Sequence, residues 1–117
     1  MTPDELEKRT KQFGLRIIRL VESLPKTKTA IAIGNQLLRC GTSVGANYRA
    51  ACRGRSKADF IAKLGIVEEE ADESAYWLEM LVEAKVIRSD SVKGLIAKAD
   101  ELTAIMATSH KTVKLNG

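Results

Sequence analysis

Positively charged side chains that could bind phosphate are concentrated in one stretch of this sequence. Arg49 and Arg53 lie about one helical turn apart, and Arg55 and Lys57 follow closely after them. Arg39 lies about three turns earlier on the same predicted helix. Several cations at one end of a helical hairpin can neutralise phosphates, as nucleic-acid-binding surfaces do. These five residues are therefore predicted to contact RNA or DNA.

The plainer interpretation of these cations is that they pair with carboxylates of a neighbouring helix. A hairpin that folds back near residue 55 brings Arg39 level with about residue 71, so Glu70 and Glu73 are its natural partners. Arg49, Arg53 and Arg55 have fewer acidic residues at a matching height. For these three arginines, phosphate contact and solvated or intersubunit pairing stay open as alternatives.

One strongly acidic run is the place where the sequence could hold a magnesium ion. Glu69, Asp72 and Glu73 have the spacing that puts carboxylates on one side of a helix, as a magnesium-dependent nucleotide phosphohydrolase requires. Such a site also needs carboxylates from a second helix, and the fourth helix offers only Asp100 and Glu101. The run is therefore predicted to be a solvated acidic face that pairs with arginines. No metal site and no cofactor are predicted.

Nucleophilic catalysis has little support in the sequence. No serine or cysteine lies in a recognisable nucleophile motif, and neither Cys40 nor Cys52 has a histidine nearby. The single histidine, His110, also excludes a di-iron bundle site, which requires two Glu-x-x-His pairs. No catalytic residue is predicted, and the protein is not expected to be an enzyme.

The two cysteines are predicted to be free and buried. They lie on one predicted helix, roughly 18 Å apart at the helical rise and therefore beyond disulfide reach. Small buried thiols are typical of a reducing compartment, so a cytoplasmic location is expected.

Two groups of residues are predicted to meet a sister chain. Gly34, Gly41 and Gly45 fall along one ridge of a helix, where each glycine costs about 1 kcal/mol relative to alanine. Another backbone is therefore expected to approach this ridge closely. An apolar edge outside the main stripe of the third helix is formed by Ile66, Trp77 and Met80. Such patches tend to mark protein contacts, although Trp77 could instead widen the core stripe.

Four helices are predicted to position these residues. Apolar residues recur at helical spacing over residues 3–24, 29–53, 57–86 and 90–114, and no segment alternates as a half-buried strand does. Thr2, Pro3 and Ser56 are start signals, and Pro25 ends the first helix. Short connections make sequential neighbours antiparallel. The prediction is an all-α, up-down-up-down four-helix bundle in a single domain that spans residues 1–117.

Length and charge limit the function classes. A chain of 117 residues with a net charge of +4 can bind nucleic acid or an acidic partner, although this charge does not demand it. The first residues lack the apolar core of a secretion signal, and no run is long enough to span a bilayer, so no membrane contact is expected. Asn116 and Gly117 are expected to fray.

The hairpin region also carries a family resemblance. It reads GNQLLRCGTSVGANYRAACRGRSKADFIAKLGIVEEEADESAYWLE. Its glycine ridge, Gly-Arg-Ser turn and Ala-Asp-Glu-Ser-x-Tyr-Trp-Leu-Glu run resemble the signature region of the bacterial four-helix bundle proteins called S23 or 23S rRNA intervening-sequence proteins. The resemblance implies a homopentamer. It also implies a fold related to the accessory protein of diversity-generating retroelements, which binds nucleic acid and a reverse transcriptase, so both are possible partners.

Two functions from different classes follow. The leading prediction is a non-enzymatic oligomeric binding protein whose helix-two cations contact RNA or DNA with little sequence preference. The alternative is a protein-interaction scaffold without nucleic-acid binding, in which the arginines serve only subunit pairing. A third alternative, the magnesium-dependent phosphohydrolase, predicts nucleotide turnover that is lost on Glu69→Gln.

Overall fold

Four helices contain most of the chain. The computed structural model describes residues 1–115, with side chains through residue 113, and the predicted fraying of Asn116 and Gly117 lies outside these residues. The helices are α1 (Pro3–Ser23), α2 (Lys28–Cys52), α3 (Lys57–Glu83) and α4 (Ser89–Leu115). Residues 1–115 contain no strand. The all-α prediction is confirmed.

Side-chain caps begin the first three helices. The hydroxyls of Thr2, Thr27 and Ser56 each accept a hydrogen bond from the backbone N–H three residues later, at 3.1–3.2 Å. Each cap satisfies one of the N–H groups that have no partner within the helix. The α2–α3 turn is therefore short, and Ser56 determines where α3 begins.

The end of α3 differs from the prediction. The apolar pattern predicts that this helix continues to residue 86, but α3 ends at Glu83 and Lys85 adopts a left-handed conformation with φ 61°. The N–H of Val86 then donates to the Leu81 carbonyl at 2.9 Å, and the N–H of Lys85 donates to the Val82 carbonyl at 3.0 Å. This pair of bonds is a Schellman motif. A lysine occupies the position where glycine is usual, so the sequence carries no stop signal there.

The core consists of one apolar stripe from each helix. Along α2 every member of the predicted stripe is buried: Ala30, Ile33, Leu37, Cys40, Val44, Tyr48 and Ala51. The largest fully buried side chains of the other helices include Phe13, Ile17, Leu64, Leu78, Leu81, Leu102 and Met106. These stripes pack against one another along a bundle of 47 × 20 × 20 Å.

The helices follow one another around the bundle. Consecutive helices pack along their lengths, whereas α1 and α4 meet along a thinner seam. Arg9 forms an ion pair with Glu101 across this seam. The Lys98 ammonium lies 3.5 Å from the same carboxylate. In this order α1 stands diagonally opposite α3. The end of the bundle that holds the α2–α3 turn also holds the N-terminus of α1.

Candidate nucleic-acid interface

The cations predicted to bind phosphate surround the α2–α3 turn. Arg49 lies in the last turn of α2, and the backbone N–H of the cap residue Arg53 bonds to carbonyls of that turn. Arg55 and Lys57 lie on either side of Ser56. The side chains of all four cations are exposed. The capped turn therefore gathers them at one end of the bundle.

None of these four cations pairs with a carboxylate among the described side chains. Among the side chains that the structure describes, no ion pair within 4.0 Å involves Arg49, Arg53, Arg55 or Lys57. The nearby Asp59 instead pairs with Lys63 at 2.7 Å, one turn along α3. The positive charge at this end is therefore available to an external anion.

Arg39 has different surroundings. Its guanidinium donates to Glu70 at 3.2 Å and forms a closer bond to Glu73, so it joins α2 to α3 as the plainer interpretation expects. The hydrogen bond to Glu73, with the charge of the same carboxylate, raises the pKa of Arg39. Arg39 is therefore engaged within its own chain, which corrects its placement among the phosphate-binding residues.

The N-terminal half of α1 adds cations that the sequence analysis missed. An open groove of about 640 Å³ runs between α1 and α2 at this end. Lys8 and Lys11 line it from α1, and Arg49 and Arg53 line it from α2. Positions 8 and 49 are remote in sequence, and only the antiparallel packing of α1 on α2 brings them together. Exposed lysines on the polar face of α1 were the available signal.

The glycine ridge of α2 lies beneath α1. A Cβ on Gly41 would lie 2.8 Å from Ile17 side-chain atoms, and a Cβ on Gly45 would lie 3.2 Å from the Thr10 backbone. The predicted close approach of another backbone is therefore present within a single chain. Gly34 and Gly41 are buried, and α1 rather than a sister chain covers them. Their assignment to an oligomer interface is wrong, and the same packing engages Gly45.

The predicted apolar edge of α3 is partly exposed. Ile66 is 41% exposed, whereas Trp77 and Met80 are half-buried against the core. The indole N–H of Trp77 donates to Glu73 at 3.1 Å, within the carboxylate cluster that holds Arg39. Tyr76, which the sequence analysis did not select, is 51% exposed and meets the Trp77 ring edge-on at 5.0 Å. Ile66 and Tyr76 are the exposed apolar side chains of this edge.

Two of the acidic residues of α3 pair with an arginine of α2. Glu70 and Glu73 are hydrogen-bonded to Arg39, as predicted for this face. Within the part of the chain that the structure describes, no group of three or more histidine, cysteine or acidic side chains is arranged to hold a metal ion.

The two cysteines differ in exposure. Both are free, and Cys40 is buried as predicted, but Cys52, the last residue of α2, is exposed. Burial raises the pKa of the Cys40 thiol, which accepts a hydrogen bond from Ser74 at 3.3 Å. Burial also raises the pKa of Tyr48, one turn before Cys52.

None of the described helices combines the length and the apolar character needed to cross a bilayer.

Comparison with known proteins gives a family and a structural neighbour. The family model described as 23S rRNA-intervening sequence protein matches residues 5–108. A crystal structure of a protein of unknown function from the S23 ribosomal protein family of Bacteroides thetaiotaomicron VPI-5482 is 32% identical to this chain. The match has a TM-score of 0.87 and covers 95% of this chain and 99% of that chain. No curated protein matches this chain. The relation to retroelement accessory proteins and the reverse transcriptase partner stay predictions.

Proposed function

The chain belongs to the family of 23S rRNA-intervening sequence proteins, and we propose that it is a non-enzymatic, oligomeric protein that binds RNA or DNA. The binding residues are the exposed cations around the end of α2. We place the protein in the cytoplasm, since its free cysteines fit a reducing compartment.

One observation carries the nucleic-acid proposal. Arg49, Arg53, Arg55 and Lys57 are exposed at one end of the bundle, and none of the described carboxylates neutralises them. Arginine and lysine without protein partners can contact phosphates, and such contacts carry no base preference by themselves. The expected ligand is therefore nucleic acid of little sequence specificity.

Self-association is the second part of the proposal. Ile66 and Tyr76 are exposed on α3 beside the partly exposed Trp77 and Met80. Aromatic residues and methionine are enriched in protein interfaces. We assign this edge to contact between subunits and, from the family resemblance, propose a pentamer. A single-subunit mass by light scattering would contradict this part.

The test of nucleic-acid binding is fluorescence anisotropy with labelled RNA and DNA over a salt series. Binding through several phosphates weakens steeply as salt rises. We expect the triple variant Arg49→Ala, Arg53→Ala, Arg55→Ala to lose binding while its mass in solution is unchanged.

A matched control removes the same charge from the opposite end of the bundle. Lys26, Lys28 and Arg88 are exposed near the α1–α2 and α3–α4 connections. Their triple alanine variant should bind nearly as well as the native protein. Equal losses in the two triple variants would show that net charge, rather than the α2 end, governs binding.

The scaffold without nucleic-acid binding is the second candidate. The Arg39 pairs favour it, because they show that an arginine of α2 can serve protein packing alone. An oligomer that binds no RNA or DNA at low salt would establish this candidate and remove the first.

A further inference from the structure

The groove between α1 and α2 has cations on both sides. Gly45 packs on the Thr10 backbone, so the first turns of α1 lie beside the last turns of α2. Lys8 and Lys11 are exposed on one side, and Arg49 and Arg53 are exposed on the other. These two lysines are not among the binding residues of the proposed function, which lie around the end of α2.

The floor of the groove is apolar and shallow. It is formed by small and aliphatic residues, namely Gly14, Leu15, Ile18, Gly45 and Ala46. Leu15 is 41% exposed and lies one turn after Lys11 on α1. A volume of about 640 Å³ is of the size that small organic ligands occupy, on the order of 300–1,000 Å³. The groove can therefore hold one or two flat rings as well as the phosphates on its rims.

We propose that this groove binds one strand of single-stranded RNA or DNA, with Lys8 and Lys11 as phosphate-binding residues opposite Arg49 and Arg53. The inference rests on the proposed function and names the form of its ligand. Phosphates lie on the charged rims, and an unpaired base or sugar lies on the apolar floor.

The combination of rims and floor selects a single strand. A duplex presents its phosphates outward and keeps its base faces stacked inside, so it can touch the rims but leaves the floor uncovered. Proteins that bind single strands combine a positively charged groove with a surface for the bases. Asp4 and Glu7 also line the groove, so its charge is positive but moderate, and the strand must follow the four cations.

Salt dependence measures the part played by the lysines. For a single strand, a plot of the logarithm of the binding constant against the logarithm of the salt concentration has a negative slope. Each phosphate that the protein neutralises contributes about 0.7 to the steepness of that slope. We expect Lys8→Ala with Lys11→Ala to make that slope shallower by about 1.4. The control is Arg16→Ala with Arg19→Ala, which removes the same charge from exposed positions of α1 outside the groove. Its slope should match that of the native protein.

The floor is tested without a change of charge. Ala46 is exposed in the groove, so the indole of Ala46→Trp would cover the apolar floor. The control is Ala62→Trp, which adds the same side chain on the exposed face of α3. In the native protein, unlabelled duplex should compete at least about tenfold less well than its single strand, or about 1.4 kcal/mol. Ala46→Trp should remove this preference, and Ala62→Trp should keep it.

Each outcome decides the proposal. Two results would overturn the groove proposal but leave the proposed function standing: the lysine variant keeps the native salt slope, or duplex competes as well as single strand. If the native protein binds no nucleic acid, the groove proposal and the proposed function are both wrong. If Ala46→Trp breaks an oligomer in light scattering, the groove is a protein contact and the proposal is overturned.

Discussion

Arg39 and Arg49 are both exposed arginines of α2, yet their environments differ. Arg39 bonds to two carboxylates of α3, whereas Arg49 lies on the rim of the α1–α2 groove. The difference arises because Arg39 lies on the side of α2 that faces α3. The face of the helix on which an arginine lies, rather than its residue type, therefore decides whether it is available to phosphate.

At the same scale, Gly41 is predicted to be intolerant of a side chain. A Cβ there would lie 2.8 Å from two carbons of Ile17, which is fully buried and cannot move away. Overpacking of this kind costs about 1–3 kcal/mol, and better helix propensity offsets about 1 kcal/mol of it. We expect Gly41→Ala to lower the free energy of unfolding by about 1 kcal/mol in urea titrations.

Gly65 is the matched control for Gly41. The nearest atom to a Cβ at this position is His110 Nε2, at 4.0 Å. Gly65→Ala should therefore gain about 1 kcal/mol from helix propensity alone. A Gly41→Ala protein as stable as Gly65→Ala would contradict the close seating of α1 on α2.

At the level of elements, α1 acts as the partner of the glycine ridge. Ile17 packs at Gly41, the Thr10 backbone lies at Gly45, and Leu24 reaches Gly34. This close packing gives the α1–α2 groove a shallow floor and brings its two charged rims near each other. The same glycines therefore serve packing within the chain and shape the proposed binding site.

The end of α3 gives a prediction for stability. Lys85 has φ 61°, a left-handed conformation that costs a residue with a Cβ about 1–2 kcal/mol and costs glycine little. Against this, glycine loses more conformational entropy on folding than a residue with a side chain, which costs roughly 0.4–1 kcal/mol. We expect Lys85→Gly to raise the free energy of unfolding by about 0.5–1 kcal/mol.

Ala84 is the control for Lys85. Its φ is −79°, which suits any residue, so Ala84→Gly should destabilise the protein through chain entropy alone. Thermal unfolding of both variants is the measurement. Equal effects would show that Lys85 is not strained.

At the level of the whole molecule, negative charge is concentrated on one helix. Helix α3 carries eight of the 15 acidic residues and two of the 19 basic ones. The α1–α2 groove lies on the other side of a bundle about 20 Å wide. The modest net charge of +4 is therefore the sum of a positive face and a negative face.

This segregation predicts that the acidic face does not influence phosphate binding. Glu69 and Asp72 are exposed on α3, and exposed charges interact weakly beyond a Debye length of about 8 Å at physiological salt. We expect Glu69→Gln with Asp72→Asn to raise the net charge but leave the salt slope of nucleic-acid binding unchanged in anisotropy titrations. A steeper slope would indicate that net charge, rather than the groove, attracts the ligand.

The sequence by itself determined the helices and the sides that they bury. Apolar spacing and the caps Thr2 and Ser56 act between residues close in the chain, so local physics predicts them, and the antiparallel order follows from short connections. The pairing of Arg39 with Glu70 and Glu73 was also predictable, because those residues belong to one hairpin. The end of α3 was not, because Lys85 is an unusual residue for its conformation.

Only the tertiary structure decided what covers the glycine ridge and what faces Arg49. Sequence spacing shows that a backbone must approach Gly41, but it cannot distinguish α1 from a sister chain, because both present the same kind of apolar surface. The α1–α2 groove likewise brings Lys8 and Lys11 near Arg49 and Arg53 only through contacts between residues some forty positions apart. Such contacts result from the packing of whole helices, which no local pattern encodes.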